Sequence, residues 1–402
     1  FKTLAGKIRN DTSKDFAIQV CDGEDADDFY LSVRYAKQIY DLHMIPKPDT
    51  LVNVYAKPSS QMTEEQIQAV LEAPAQYLLI TEIPGDAMTA YHVYMEIINI
   101  LFPELLGVVN LHARKAYPPE FVKFTGMFAH AVEPYDVFGI YITGTDDGSD
   151  IFMTTCGLCT LGMRELEMIG ANAENFGYFA NMLDYTAARC VERDLLLDAG
   201  EIISDFAEFS QESENMKNYQ ITWDTPGHVV PGLPEDSLAV GFQREVPSAV
   251  LILTETGTAP AIDPVFADLD EIHYPSTNRY FHRKIALAKE TFGVFRDALE
   301  HGFEKAAVRL ELDLDDYGYY ESEAYLNGDE DDEPDYSIEL VWADLKRDGD
   351  TIRAYVTEEF PTLPDCHAGD EIEFTEENTA SWALILPDGE NVITQEEAYL
   401  LL

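Results

Sequence analysis

The sequence predicts an α+β, multidomain protein: an α/β sandwich-like N-terminal domain, and a C-terminal helix packed on a small antiparallel β-sheet. Three observations predict it. Strand-type alternation and helical spacing interleave through residues 1–215, a Pro/Gly-rich passage interrupts them at Thr225–Pro234, and one amphipathic helix then precedes a β-rich run. A chain of 402 residues is long enough for two or three cores. The expected division is 1–215, a connecting segment 216–270, and a helix-plus-sheet domain 271–402 with an acidic loop at 329–335.

In chain order, Phe16–Val20 reads as a strand and Ala26–Leu42 as a helix, with Phe29, Val33, Ala36 and Tyr40 on one face. Leu51–Tyr55 alternates as a strand. Thr63-Glu64-Glu65-Gln66 is a capping box that opens a helix to Leu71. Tyr77–Thr81 is a strand, Asp86 caps a helix that Pro103 ends, and Leu106–Leu111 is a further strand. Val137–Thr143 and Ile151–Thr155 flank an Asp147-Gly148 turn, so they form a hairpin, expected to extend the first sheet. Asn175–Leu196 carries apolar residues at helical spacing, Cys190 among them. Farther on, Ser248–Thr254 is a buried-type strand and Ser276–Phe303 one long helix with an apolar stripe. Strands follow at Ser337–Leu345, Thr351–Val356, Glu371–Phe374 and Trp382–Leu386. The box Thr394…Glu397 opens a last short helix at Gln395–Leu401.

Charge excludes whole function classes. Lys plus Arg is 26 against 75 Asp plus Glu, a net −49, and a field of that sign repels phosphate backbones and anionic membrane surfaces. Nucleic acid and membranes are therefore not expected as partners; a basic protein is. Six acids in the seven residues Asp329–Asp335 read as a solvated loop. Five cysteines are too few and too scattered for a disulfide framework, no apolar run is long enough to span a bilayer, and a cytoplasmic setting is expected. Phe1-Lys2-Thr3-Leu4 is neither an initiator Met nor a signal-type start, so residues preceding Phe1 are expected in the natural product.

Candidate chemistry concentrates after the hairpin, at Cys156, Gly157, Cys159, Glu165 and Glu167. Cys156-Gly157-Leu158-Cys159 is the chain's one CxxC. A redox pair of this kind belongs on the first turn of a helix, whereas Gly162 and the alternation Glu165/Leu166/Glu167/Met168 read as loop and strand. A zinc site would need a second cysteine or histidine pair nearby. The plainer reading is two small residues in a strand-end loop, reduced and unligated, with an extended path between them too long for a disulfide. Glu165 and Glu167 alternate and so share one sheet face, which reads as solvated rather than as an acid/base pair. Asp313-Leu314-Asp315-Asp316-Tyr317-Gly318 begins like a calcium loop but lacks the bidentate Glu at its twelfth position, where Ala324 stands. Phosphate-loop, dinucleotide, serine-hydrolase and zinc-protease motifs are absent, so no catalytic residue, cofactor or metal is expected.

The segment Phe152-Met153-Thr154-Thr155-Cys156-Gly157-Leu158, followed by Gly162-Met163-Arg164-Glu165-Leu166-Glu167, resembles one in a group of uncharacterised bacterial proteins. Their segment reads Trp-Leu-His-Thr-His-Gly-Leu, then Gly-x-Pro-Glu-Leu-Glu. Here Thr154 and Cys156 replace both histidines, so any metal or proton-transfer role of that pair is lost. The likeness extends over roughly residues 50–195, Tyr91-His92 included. The C-terminal part resembles a second bacterial domain of unknown function, through Leu340-Val341-Trp342, Gly369-Asp370-Glu371-Ile372 and Ser381-Trp382. Such a layout implies an accessory or regulatory factor. Two functions are therefore weighed: a non-catalytic interaction protein binding a basic partner through its acidic surface, and a thiol- or metal-dependent factor centred on Cys156 and Cys159.

Overall fold

The structure is a computed structural model. It describes residues 16–22, 29–35, 38–46, 62–74, 76–82, 85–144, 151–173, 176–193, 200, 203–205, 219–229, 247–255, 278–317, 338–349, 351–360, 362–387 and 391–402. The chain forms two units, one of residues 1–122 and 132–277, the other of residues 123–131 and 278–402. The expected strand Leu51–Tyr55 and the acidic loop 329–335 lie outside the described residues. Helices and several mainly antiparallel sheets make the protein α+β, as expected.

The first unit opens with a meander, β1 (Phe16–Asp22), β2 (Phe29–Tyr35) and β3 (Gln38–Pro46). The helix expected over Ala26–Leu42 is thus corrected to two strands. A spacing of three to four picks out Val33 and Tyr40 but not Leu31, Leu42 and Met44, which bury beside them at period two. After α1 (Glu64–Leu71), whose capping box at Thr63 and Gln66 forms as predicted, β4 (Tyr77–Thr81) completes a four-stranded sheet in the order β1-β2-β3-β4. Helix α2 (Ala87–Leu101) starts at Asp86, whose carboxylate accepts from the Thr89 N–H at 2.9 Å. It is apolar on two sides. Ala90, Val93, Tyr94, Ile97 and Leu101 pack on the meander, while Met88 and Tyr91 join the core of a second sheet.

A short pair follows, β5 (Val108–Asn110) with β6 (Lys115–Tyr117), then α3 (Pro119–Met127) and one turn of helix, α4 (Pro134–Val137). Val137 therefore ends a helix, and the hairpin begins two residues later: β7 (Gly139–Gly144) pairs with β8 (Ile151–Cys156). The hairpin does not extend the first sheet. With β9 (Glu165–Ala171), and after α5 (Phe176–Arg193), with β10 (Ser204–Asp205), β11 (Tyr219–Asp224) and, beyond α6 (Pro226–Val229), β12 (Ser248–Glu255), it builds a separate sheet ordered β10-β11-β12-β9-β8-β7. Strands β11 and β12 come from the stretch expected to connect two domains. Residues 165–167 of β9 pair in parallel with β12, which makes β9 an interior strand. Leu166 and Met168 meet Phe179, Met182, Leu183, Ala187, Cys190 and Val191 of α5 in one core.

In the second unit, α7 (Asn278–Glu290) and α8 (Phe292–His301) replace the single helix expected over Ser276–Phe303. The break is at Thr291, a fully buried hydroxyl that donates to the Leu287 carbonyl at 2.7 Å and accepts from Trp382 Nε1 at 3.1 Å. A six-stranded sheet stands behind the helices. It comprises β13 (Lys305–Asp313), β14 (Ile338–Asp348), β15 (Thr351–Val356), β16 (Glu371–Ile372), β17 (Thr379–Ile385) and β18 (Ile393–Thr394), ordered β16-β15-β14-β13-β17-β18. Two of these strands go beyond the four expected: β13, inside the sheet between β14 and β17, and the short edge strand β18. The helices cover one face as expected, with Leu287, Ala288, Phe295 and Leu299 against Val308, Leu310, Val341 and Trp382.

The C-terminal 3₁₀ helix Gln395–Leu401 is tied to α7 by Lys284 and Glu396, 2.5 Å apart, with Thr394 Oγ1 also donating to Glu396 at 2.7 Å. Burial pushes the Glu396 carboxyl up, but the hydrogen bonds from Lys284 and Thr394 overcome it and hold the group below its ordinary value. A depressed carboxyl contributes stability that is present above its unfolded pKa and lost as pH falls through the folded one. Glu396→Gln is therefore expected to cost about 1–2 kcal/mol at neutral pH and nothing once the wild-type carboxyl is protonated. Urea titrations of both proteins between about pH 7 and pH 3 check this. A constant difference across that range would show that the ion pair does not set it.

Candidate functional site

Cys156 ends β8, and the chain then turns. Gly157 is left-handed at φ 116°, and Leu158–Leu161 form a 3₁₀ helix that contains Cys159 and stops at Gly162, φ 77°. The extended path expected between the cysteines is thus corrected to a tight turn, which Gly157 makes accessible because it has no Cβ. A Cβ at Gly157 would also lie 2.8 Å from the Val137 carbonyl oxygen. Both thiols are half-buried, and no disulfide joins them.

Glu165 explains why the turn holds. Its Oε1 accepts from the N–H of Gly157 at 2.8 Å and of Cys159 at 3.1 Å, and its Oε2 accepts from Thr155 Oγ1 at 2.7 Å. Thr155 Oγ1 in turn accepts from the Leu166 N–H at 2.7 Å. A carboxylate thus serves as the N-terminal cap of the 3₁₀ helix, taking up donors that its first turn leaves unsatisfied. The solvated face expected for Glu165 and Glu167 is corrected: they are 5% and 0% exposed, because β9 is interior to its sheet and covered on both faces. Four of the five predicted residues therefore share one small region around Glu165. Glu167 lies on the same strand, opposite Thr154 on β8. Glu165→Gln can keep an oxygen on the two backbone N–H groups only by turning its amide hydrogens toward Thr155 Oγ1, which then loses its acceptor, and with the charge also gone an expected loss of about 1–3 kcal/mol follows. Equal urea midpoints for variant and wild type would refute the capping role.

A second polar cluster has no counterpart in the sequence reading. Lys115, half-buried at the start of β6, donates from Nζ to the Tyr135 carbonyl, and Nζ lies 5.9 Å from the centre of the Phe138 ring. Burial lowers its pKa, against the opposing pull of the Asp136, Asp184 and Glu133 carboxylates. Asp184, on α5, is pushed up by burial, with Lys115 acting in the other direction. Around them, Tyr117 donates to the Asp136 carbonyl at 2.6 Å. The Tyr91 hydroxyl accepts from Asn110 Nδ2 at 2.8 Å, and burial pushes its pKa up to about 12. Arg114-Lys115 stands in no motif, and its acidic neighbours come from segments distant in sequence. Only the tertiary structure collects them.

Among the described residues, no three His, Cys, Asp or Glu side chains converge as a metal site, and no helix is long and apolar enough to cross a membrane. Residues 6–128 match the family model described as protein of unknown function (DUF4026), N-terminal. That is less than half of the chain, and it ends before the Thr154–Glu167 segment on which the bacterial likeness rests. No curated protein and no solved structure matches the chain.

Proposed function

We propose that the protein is a non-catalytic cytoplasmic binding factor whose acidic surface engages a basic protein partner. The observation that carries this reading is the excess of 75 acidic over 26 basic residues. Several of the few cations are also spent internally. Lys284, Lys289 and Arg353 pair with Glu396, Glu311 and Glu371, while Arg347 donates to the Leu299 and Glu300 carbonyls at the end of α8. Partners of opposite charge are then favoured by complementarity, which acts mainly on association rate and selectivity. The structural duty of Glu165 supports the same reading, since a carboxylate bonded to two backbone N–H groups is poorly placed to exchange protons with a substrate.

The test is a pull-down from the source cytoplasm at low and high salt. Basic proteins are expected to be retained at about 50 mM salt and released by about 500 mM, where charges are screened within a few ångströms. Failure to retain any basic protein at low salt sinks the proposal. The thiol reading draws support from the partial exposure of both Cys156 and Cys159. Rapid alkylation of Cys156 near neutral pH in the folded protein would favour it, and alkylation only after denaturation would dismiss it.

A further inference from the structure

We propose that His130 and Glu290 form a pH-operated clasp that pins residues 123–131 onto α7, closed when the imidazole is charged and loosened when it is neutral. The device goes beyond partner binding and does not depend on it.

Three polar groups of His130 meet one face of α7. Its backbone N–H donates to Glu290 Oε2 at 3.1 Å, and its Nδ1 lies 2.8 Å from Glu290 Oε1. Its carbonyl faces Arg283 Nη1 at 3.5 Å. Residues seven apart are separated by about two helical turns, so Arg283 and Glu290 share a face and hold the carbonyl and N–H sides of one residue.

The clasp closes a segment that is otherwise held by apolar packing. Residues 123–131 belong to the second unit, although the chain on either side of them belongs to the first. Phe124 and Ala131 are buried in one core with Leu287, Ala288 and Phe292, and the rings of Phe124 and Tyr399 are centred 6.0 Å apart. The His130 side chain stays outside that core, 45% exposed, where solvent protons reach it.

Histidine is the side chain whose ordinary charge change falls between about pH 5 and pH 8. Protonated, His130 pairs with an anion; neutral, it keeps a weaker hydrogen bond, while the backbone N–H bond to Glu290 persists. The hydrogen bond to the Glu290 carboxylate raises the His130 pKa above its ordinary value, against burial and the charge of Arg283. Elsewhere around the segment the charges are engaged or remote from the ring. On the C-terminal 3₁₀ helix, Glu396 pairs with Lys284 and Glu397 accepts from the Thr394 N–H, and on the segment itself the other ionisable group is the exposed Lys123. A raised histidine contributes stability that is fully present below its free pKa, about 6.5, and lost as pH rises through the docked value. The clasp therefore loosens toward alkaline pH.

Hydrogen exchange of the full chain, read by mass spectrometry on peptides covering residues 124–131, tests this between about pH 5.5 and pH 8.5, with labelling times scaled to intrinsic exchange. Protection of that segment is expected to fall about two- to five-fold across the range, the size of a half-exposed ion pair, while that of β13 does not fall with it. Glu290→Gln should sit at the low level at every pH, and His130→Gln should lose the pH dependence as well. The His130 ring resonances of the wild type should titrate with a midpoint above about 6.5, and Glu290→Gln should lower it. Protection that ignores pH, or that changes as much in Glu290→Gln as in wild type, overturns the proposal. So does an imidazole midpoint that the substitution leaves unmoved. If either variant fails to fold, the wild-type exchange profile and titration decide alone.

Discussion

Gly139→Ala is expected to destabilise the first unit by about 3 kcal/mol or more, among the largest effects of any single methyl in the chain. Gly139 opens β7 opposite Cys156, and the added Cβ would overlap the carbonyl oxygen of Ala113, with no flexible side chain to yield. Relief requires moving either the hairpin or the backbone that leads into β6, which carries Lys115. The control is Gly177→Ala in α5, where a Cβ meets nothing within 4 Å and helix propensity alone favours the change by about 0.5–1 kcal/mol. Urea midpoints for the two variants should shift in opposite directions. A Gly139→Ala protein as stable as wild type would mean that the hairpin does not approach Ala113 so closely.

Trp382→Ala is expected to cost about 3–5 kcal/mol in the second unit. The indole is fully buried on β17, stacks on Phe295 with ring centres 4.8 Å apart, and donates to Thr291 at the break between α7 and α8. Truncation thus empties a core position and removes a hydrogen-bond partner from a buried hydroxyl. Trp382→Phe separates the two effects, because it keeps most of the stacking while deleting the donor. About 1–2 kcal/mol of the loss should remain, the ordinary worth of such a bond plus some cavity. Chemical denaturation followed by circular dichroism checks both. A Trp382→Phe variant as damaged as Trp382→Ala would assign the whole effect to the hydrogen bond.

The Glu165 and Lys115 regions differ in how far the sequence could expose them. Cys156, Gly157, Cys159, Glu165 and Glu167 stand out because they are near neighbours in sequence, but the pattern puts the two glutamates in water where the structure buries them. Alternation along β9 places Glu165 and Glu167 on one face, yet says nothing of whether that face meets water. Burial depends on β12, which pairs with β9 after a long excursion of the chain, and no local pattern carries that information. Lys115 was invisible for the same reason, since Glu133, Asp136 and Asp184 come from α4 and its cap and from α5.

By itself the sequence determined what local physics decides. Capping residues at Thr63, Asp86 and Thr394 located helix starts, the strands around Asp147-Gly148 predicted their own pairing, and the composition fixed a net charge of −49. Only the tertiary structure decided between helix and strand over residues 29–42, where spacings of two and of three to four both fit and the neighbouring face of α2 selects the period-two set. It also decided the break at Thr291, through a hydrogen bond from Trp382, and the allocation of the hairpin to a second sheet. Each of these turns on contacts between residues far apart in the chain, which form only once the elements have packed.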